Sequence, residues 1–217
     1  MDKSQIINKT AKFVKNKLQG EGSGHDWWHI YRVWQTAKNI AKKEKVNLFI
    51  VELAALLHDI ADWKFYDGDE TLGPKIAGEW LISQGLDRET IKIIKEVIED
   101  VSFKGAGVKK KVRSKEGEVV QDADRLDAIG AMGIARCFAY GGYKGREIYN
   151  PNVKPTMHKS AEEYKKSISS SINHFYEKLL LLKNLMNTKT AKKMAERRHK
   201  FMKDYLDEFF AEWKGQS

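Results

Sequence analysis

The sequence predicts an all-α fold, a single-domain helical bundle, and three observations carry that reading. Apolar residues recur at three- and four-residue intervals over most of the chain, while the strict alternation of a half-buried strand is almost absent. Capping residues and glycines punctuate the periodic stretches at helix-length intervals. Only 3 prolines occur in 217 residues, and no Pro-rich or Ser-rich tract offers an interdomain linker.

Ile6, Ile7, Phe13, Val14 and Leu18 form the first amphipathic stretch, ended by Gly20, Gly22 and Gly24. The second starts at Asp26, a side chain suited to capping, and runs to about Glu44 through Ile30, Val33, Trp34, Ala37 and Ala41. Asn47 caps the third. Its run Leu53-Ala54-Ala55-Leu56-Leu57 is apolar nearly all round, which predicts the central, buried helix. The turn signal Asp67-Gly68-Asp69 follows. A fourth helix follows Pro74 and closes at Gly85, and a fifth begins at Asp87 and carries Ile91, Ile94, Val97, Ile98 and Val101. After a Gly- and Lys-rich loop from Ser102 to Arg113, one long helix is expected from about Ser114 to Tyr140, stopped by Gly141-Gly142. Its centre, Ala128 to Ala135, is rich in small residues. Each interior glycine costs about 1 kcal/mol against alanine, so close helix–helix approach is the expected compensation. Residues 143–159 read as an irregular loop, and helices over about 160–186 and 190–213 finish the chain.

Composition narrows the class. Hydrophobic residues make up 41% and charged residues 32%, which excludes a disordered chain. No window approaches the ~18 uninterrupted apolar residues of a spanning helix, and the N-terminus lacks a signal-type apolar core. A single cysteine, Cys137, argues against an internal disulfide and for a reducing compartment, so a cytoplasmic protein is expected. The net charge of +9 is spread along helices that also carry acids. Its densest run, Lys109-Lys110-Lys111 with Arg113 and Lys115, reads as solvated loop. No membrane and no nucleic-acid partner is expected from this pattern.

Three sites break the helical pattern. His58-Asp59 follows five apolar residues at the end of the buried helix, where a carboxylate is costly unless paired or metal-bound and where the helix dipole disfavours it. His29 lies one turn past Asp26 on a core-facing stripe, with Trp27, Trp28, Tyr31 and Trp34 around it as an expected dry wall. Asp122, Asp124 and Asp127 crowd six residues of one helix, with Arg125 between them. Asp122 and Asp124 lie about 200° apart on the helix, so both do not serve one ion, and periodicity alone does not choose between them. Each site has a plain alternative as a satisfied core group. Together they offer two imidazoles and carboxylates without thiolate, a donor set for Mn²⁺, Fe²⁺, Co²⁺, Ni²⁺, Zn²⁺ or Mg²⁺.

The order His29, His58-Asp59, Asp124 resembles the H…HD…D signature of the HD-domain metal-dependent phosphohydrolases. The strings Gly24-His25-Asp26-Trp27-Trp28-His29-Ile30-Tyr31-Arg32-Val33, Leu57-His58-Asp59-Ile60-Ala61-Asp62, Ser102-Phe103-Lys104-Gly105-Ala106 and Glu118-Val119-Val120-Gln121-Asp122-Ala123-Asp124-Arg125-Leu126-Asp127 are similar to a bacterial stand-alone subfamily. So is His174-Phe175-Tyr176-Glu177-Lys178-Leu179-Leu180, and the likeness spans nearly the whole chain. It implies one domain over residues 1–217, with a core of about 20–142 and C-terminal helices of about 160–213. It also implies His29, His58, Asp59 and Asp124 as ligands of one divalent metal, Mn²⁺ favoured. Asp124 is chosen because the family's last ligand immediately precedes a basic residue, here Arg125. Asp62 matches an acid/base position and, with Asp59, makes up the implied catalytic pair. The GYP-bearing motif of cyclic-dinucleotide esterases is absent.

The activity expected from this is metal-dependent hydrolysis of a soluble phosphorylated metabolite, with a nucleotide the leading candidate, at a phosphomonoester or pyrophosphate bond. Arg125, Arg32, Lys64 and Lys104 are the candidate phosphate contacts, and aromatics beside His29 offer a surface for a base. The alternatives are a nucleic-acid-processing or binding module and a catalytically silent nucleotide sensor. Phe201, Phe209, Phe210 and Trp213 on the last helix would suit a homodimer.

Overall fold

The structure, a computed structural model, describes residues 2–18, 26–61, 69, 71–101, 112–157 and 169–216. Helix predominates, and no strand occurs among the described residues. Contacts cluster into two compact units, the first holding α1 to α5 and α6 as far as Asp124, the second everything described from Arg125 onward.

In the first unit, α3 (Leu48–Leu57) is the organising element, as its all-apolar run predicts. Ile50, Val51 and every residue from Leu53 to Leu57 are buried, and α3 packs on α1 (Lys3–Lys17), α2 (Trp27–Glu44) and α5 (Arg88–Val101). Each fully buried leucine or isoleucine here contributes roughly 1.5–3 kcal/mol by leaving water. Asn47 caps α3 through Oδ1, which accepts from the Ile50 amide at 3.4 Å. Helix α4 (Leu72–Ser83) packs on α5. It also meets α1: Trp80 stacks on Phe13 at 4.1 Å, and its indole N–H donates to buried Thr10 at 2.9 Å. The end of α5 is tied to the start of α6 (Lys115–Asp127) by Asp100, which is 1% exposed. Its carboxylate accepts from the Arg113 amide at 2.9 Å and from Arg113 Nε at 3.1 Å. The backbone carbonyl of Asp100 accepts from Gln121 at 2.9 Å. The carboxylates of Asp100 and Glu99 hold the Arg113 guanidinium above its ordinary pKa.

The second unit corrects one expectation. In place of one helix to Tyr140, α6 ends at Asp127 and α7 (Gly130–Tyr143) begins after a break. Ile129 is extended, and Gly130 sits at φ 76°, a conformation that disfavours any side chain. The Arg198 guanidinium donates to the Leu126 carbonyl and holds the break. The glycines there serve the turn as well as close approach: a Cβ at Gly133 would run into the Ala128 carbonyl oxygen, and one at Gly130 would stand 3.0 Å from the Arg198 side chain. Beyond residue 168 the helix expected to run to about 186 is instead a short α8 (Ser171–Glu177) followed by a 3₁₀ helix (Leu179–Leu185), while the last helix, expected over about 190–213, is α9 (Lys189–Trp213). Helix α7 packs on α8 and α9, and the 3₁₀ segment on both of those. The part of that expectation lying on residues 160–168 is outside the described residues. No helix among the described residues is long and apolar enough to cross a membrane.

Candidate metal centre

Local rules place each donor. Asp26 Oδ1 accepts from the His29 amide at 3.0 Å, the capping bond that starts α2. Ile30 and Val33, fully buried, turn that face inward, and His29 goes with them at 0% exposure. His58 closes the C-terminal end of α3. Its Nδ1 lies 2.9 Å from the carbonyl oxygen of Ala55. A carbonyl only accepts, so Nδ1 carries a proton, and in the neutral ring Nε2 is then the nitrogen that offers a lone pair. That Nε2 is buried and has no hydrogen-bond partner. Asp59 follows directly. Asp124 comes from α6, where Val119, Val120 and Ala123 are buried and fix the helix face.

These four side chains converge. His29 Nε2 stands 3.4 Å from Asp59 Oδ2 and 3.5 Å from Asp124 Oδ1. His58 Nε2 stands 3.6 Å from Asp59 Oδ2 and 3.9 Å from Asp124 Oδ1. One oxygen of each carboxylate therefore faces the same two nitrogens, and the imidazoles meet edge-on at 5.5 Å between centroids. Donors of His29, His58 and Asp59 all lie within 4.8 Å of one another.

The arrangement fits a divalent cation. Donors bonded to one ion at about 2.0–2.2 Å stand roughly 3–3.5 Å apart, close to the spacings here. Two carboxylates and two imidazole nitrogens facing one another call for positive charge between them, and the buried His58 Nε2, without a hydrogen-bond partner, has the position of a metal donor. The carboxylates are not sealed in. Asp59 keeps 20% and Asp124 27% of its side-chain surface exposed.

The other candidate residues take distinct places. Asp124 makes the imidazole contacts, whereas Asp122 is fully buried in α6. Asp127, the third acid, pairs with Arg136 at 2.8 Å. Arg125 donates from its guanidinium to the Leu185 carbonyl. Arg32 is half-buried on α2, one turn from His29. Asp62, Lys64 and Lys104 lie outside the described residues. The expected dry wall is only partly dry: Trp28 is 57% and Tyr31 40% exposed. Sequence reasoning missed the Ala55 carbonyl as the group orienting His58, although a histidine at a helix end three residues past a carbonyl is a recognisable signal. It also missed Asp100 as the partner of Arg113, which no local spacing reveals.

Comparison with known proteins bears on this centre directly. A sequence model of the HD domain matches residues 27–129, a span holding all four donors. The uncharacterized protein YpgQ of Bacillus subtilis is 42% identical over 195 residues, 89% of this chain and 87% of its own. The crystal structure of YpgQ in complex with ADP aligns at a TM-score of 0.76, with 37% identity over 97% of this chain and 100% of that one. An HD-superfamily hydrolase of Bacillus thuringiensis aligns at 0.78 with 44% identity, over 99% of this chain and 100% of its own. A protein of Lactobacillus plantarum aligns at 0.85 with 38% identity and the same coverage, 99% and 100%. With His29, the His58-Asp59 pair and Asp124 gathered within the matched span, the chain belongs to the HD-domain superfamily, among relatives described as hydrolases.

Proposed function

We propose that the chain is a metal-dependent phosphohydrolase that cleaves a phosphate ester or anhydride bond of a soluble nucleotide. The observation that carries this is the convergence of two buried imidazole nitrogens on two partly exposed carboxylates, a cation site open on one side. The crystallised complex of YpgQ with ADP supports a nucleotide as the ligand class.

His29, His58, Asp59 and Asp124 would hold one divalent ion, with Mn²⁺ favoured for a mixed imidazole–carboxylate set. When bound, such an ion lowers the pKa of a water and offsets charge on a phosphoryl oxygen. The chain's own residues do the rest. The Ala55 carbonyl holds His58 in the tautomer that presents Nε2. Burial of His29 and His58 keeps the centre's inner wall dry, while the exposed sides of Asp59 and Asp124 admit the phosphate. Asp62 takes the proton of the attacking water. Arg125, Arg32, Lys64 and Lys104 contact the phosphate oxygens, in decreasing order of support.

The test is a screen of Mn²⁺, Co²⁺, Ni²⁺ and Mg²⁺ against a nucleotide panel with product identification. The expected result is release of phosphate or pyrophosphate from at least one nucleotide, dependent on the ion and lost in Asp59→Ala. Absence of turnover under every ion, or full activity in Asp59→Ala, would refute it.

A further inference from the structure

Among the aromatic residues around His29, Trp28 stands apart. It is 57% exposed, although tryptophan is on average a highly buried residue. Its ring is nonetheless held in place. Tyr31 meets it edge-on, with 6.0 Å between centroids and an interplanar angle of 80°. Tyr31 in turn meets Trp34 edge-on at 6.2 Å, and the Trp34 indole N–H donates to the buried carboxylate of Glu52 on α3 at 2.9 Å. The exposed ring therefore ends a braced row anchored in the core.

Position gives the ring its meaning. On α2, Trp28 and Arg32 are one turn apart and share a stripe beside His29. On the other flank of His29, Ile30 and Val33 are fully buried. Of the two flanks of His29 on this helix, the one that carries Trp28 and half-buried Arg32 is the one that meets solvent. That flank offers a planar aromatic ring one residue from a donor of the centre.

We infer that Trp28 is the platform on which the base of a bound nucleotide stacks, and that it makes this centre prefer nucleotides to base-free phosphates. The inference rests on the nucleotide reading of the metal centre, and it adds the element that selects the ligand. Every base has a π-face, so the platform favours nucleotides as a class and discriminates weakly among bases.

Calorimetric titration of the intact chain, in Mg²⁺, with ADP and separately with inorganic pyrophosphate tests it. Trp28→Leu is expected to weaken ADP binding about 5- to 150-fold, the range set by one stacked base, and to leave the pyrophosphate constant within about twofold. Trp28→Phe, which keeps a ring, retains most of the ADP affinity. The side chain is largely exposed, so both variants should melt at the parent's temperature, and a variant that does not is replaced by Trp28→Gln. Equal losses for the two ligands, an unchanged ADP constant, or no ADP binding by the parent each overturns the platform. Failure of the phosphohydrolase reading looks different: selective loss of ADP affinity in Trp28→Leu with no turnover of any nucleotide by the parent sustains the platform and removes the catalysis.

Discussion

Replacing His58 by alanine offers the sharpest test of the metal centre, because the structure lets the size of the effect be worked out in advance. The parent presents donors from His29, His58, Asp59 and Asp124 with imidazole–carboxylate spacings of 3.4 to 3.9 Å. An ion that binds the folded chain at a free concentration of 100 times its dissociation constant adds about 2.7 kcal/mol of stability. For a chain of this length each kcal/mol moves Tm by roughly 2–4 °C, so the parent should melt about 5–11 °C higher with Mn²⁺ than with a chelator. Loss of even an outer partner of a ligand typically weakens metal affinity 10–100-fold, and loss of a ligand should do no less. At a 100-fold deficit the same Mn²⁺ concentration only equals the dissociation constant, and the gain shrinks to about 0.4 kcal/mol, or about 1–2 °C. His58→Ala also discards the bond to the Ala55 carbonyl and lowers stability with or without the ion. The informative quantity is therefore the metal-induced difference within each protein, read by differential scanning calorimetry with Mn²⁺ and with chelator. A full 5–11 °C rise in His58→Ala, or none in the parent, would show that His58 Nε2 does not meet an ion.

Other consequences follow from particular contacts. Arg113→Ala should cost more than Asp100→Ala, about 3–5 against 1–3 kcal/mol, since the first strips a buried carboxylate of its cation and the second leaves a half-exposed arginine that water can solvate. Guanidinium unfolding measures both, and equal costs would contradict the argument. Burial pushes the Cys137 thiol up to about 12, so it should resist maleimide at pH 7.5 until the chain is unfolded; rapid labelling of folded protein would mean the thiol is open. Burial, then Lys183 and Lys203, lower the pKa of His199. The unfolded chain therefore takes up that proton more readily, and stability should fall as pH drops below about 6.5. His199→Gln should flatten this dependence, and an identical slope in the variant would assign the acid sensitivity elsewhere.

What could be read in the sequence was what depends on local pattern. The buried α3 followed from a run apolar on every side, and the caps at Asp26 and Asn47 from side chains that satisfy first-turn amides. The gathering of His29, His58, Asp59 and Asp124 was legible through the HD-type motif; helical spacing alone left Asp122 and Asp124 undecided. The break at Ala128–Gly130 was not legible. It depends on Arg198, some seventy residues further on, reaching the Leu126 carbonyl, and on a left-handed glycine that in the sequence looks like any helix-interior glycine. The exposure of Trp28 was also hidden, because a tryptophan one position from a buried histidine has the same letter whether its ring faces core or water.

The two nitrogens of His58 lead to a constraint on how this chain can change over time. One nitrogen ties off a carbonyl at the end of α3, and the other presents a lone pair to the centre. Asparagine or glutamine would offer a donor and an acceptor, but on a differently shaped amide; lysine would keep only donors, and aspartate only acceptors. No other side chain joins an N–H to a nitrogen lone pair across one rigid ring. A helix ending and a binding chemistry are thus fused in a single residue. A substitution that preserves one forfeits the other, so any replacement of His58 has to reorganise the helix ending and the donor set together.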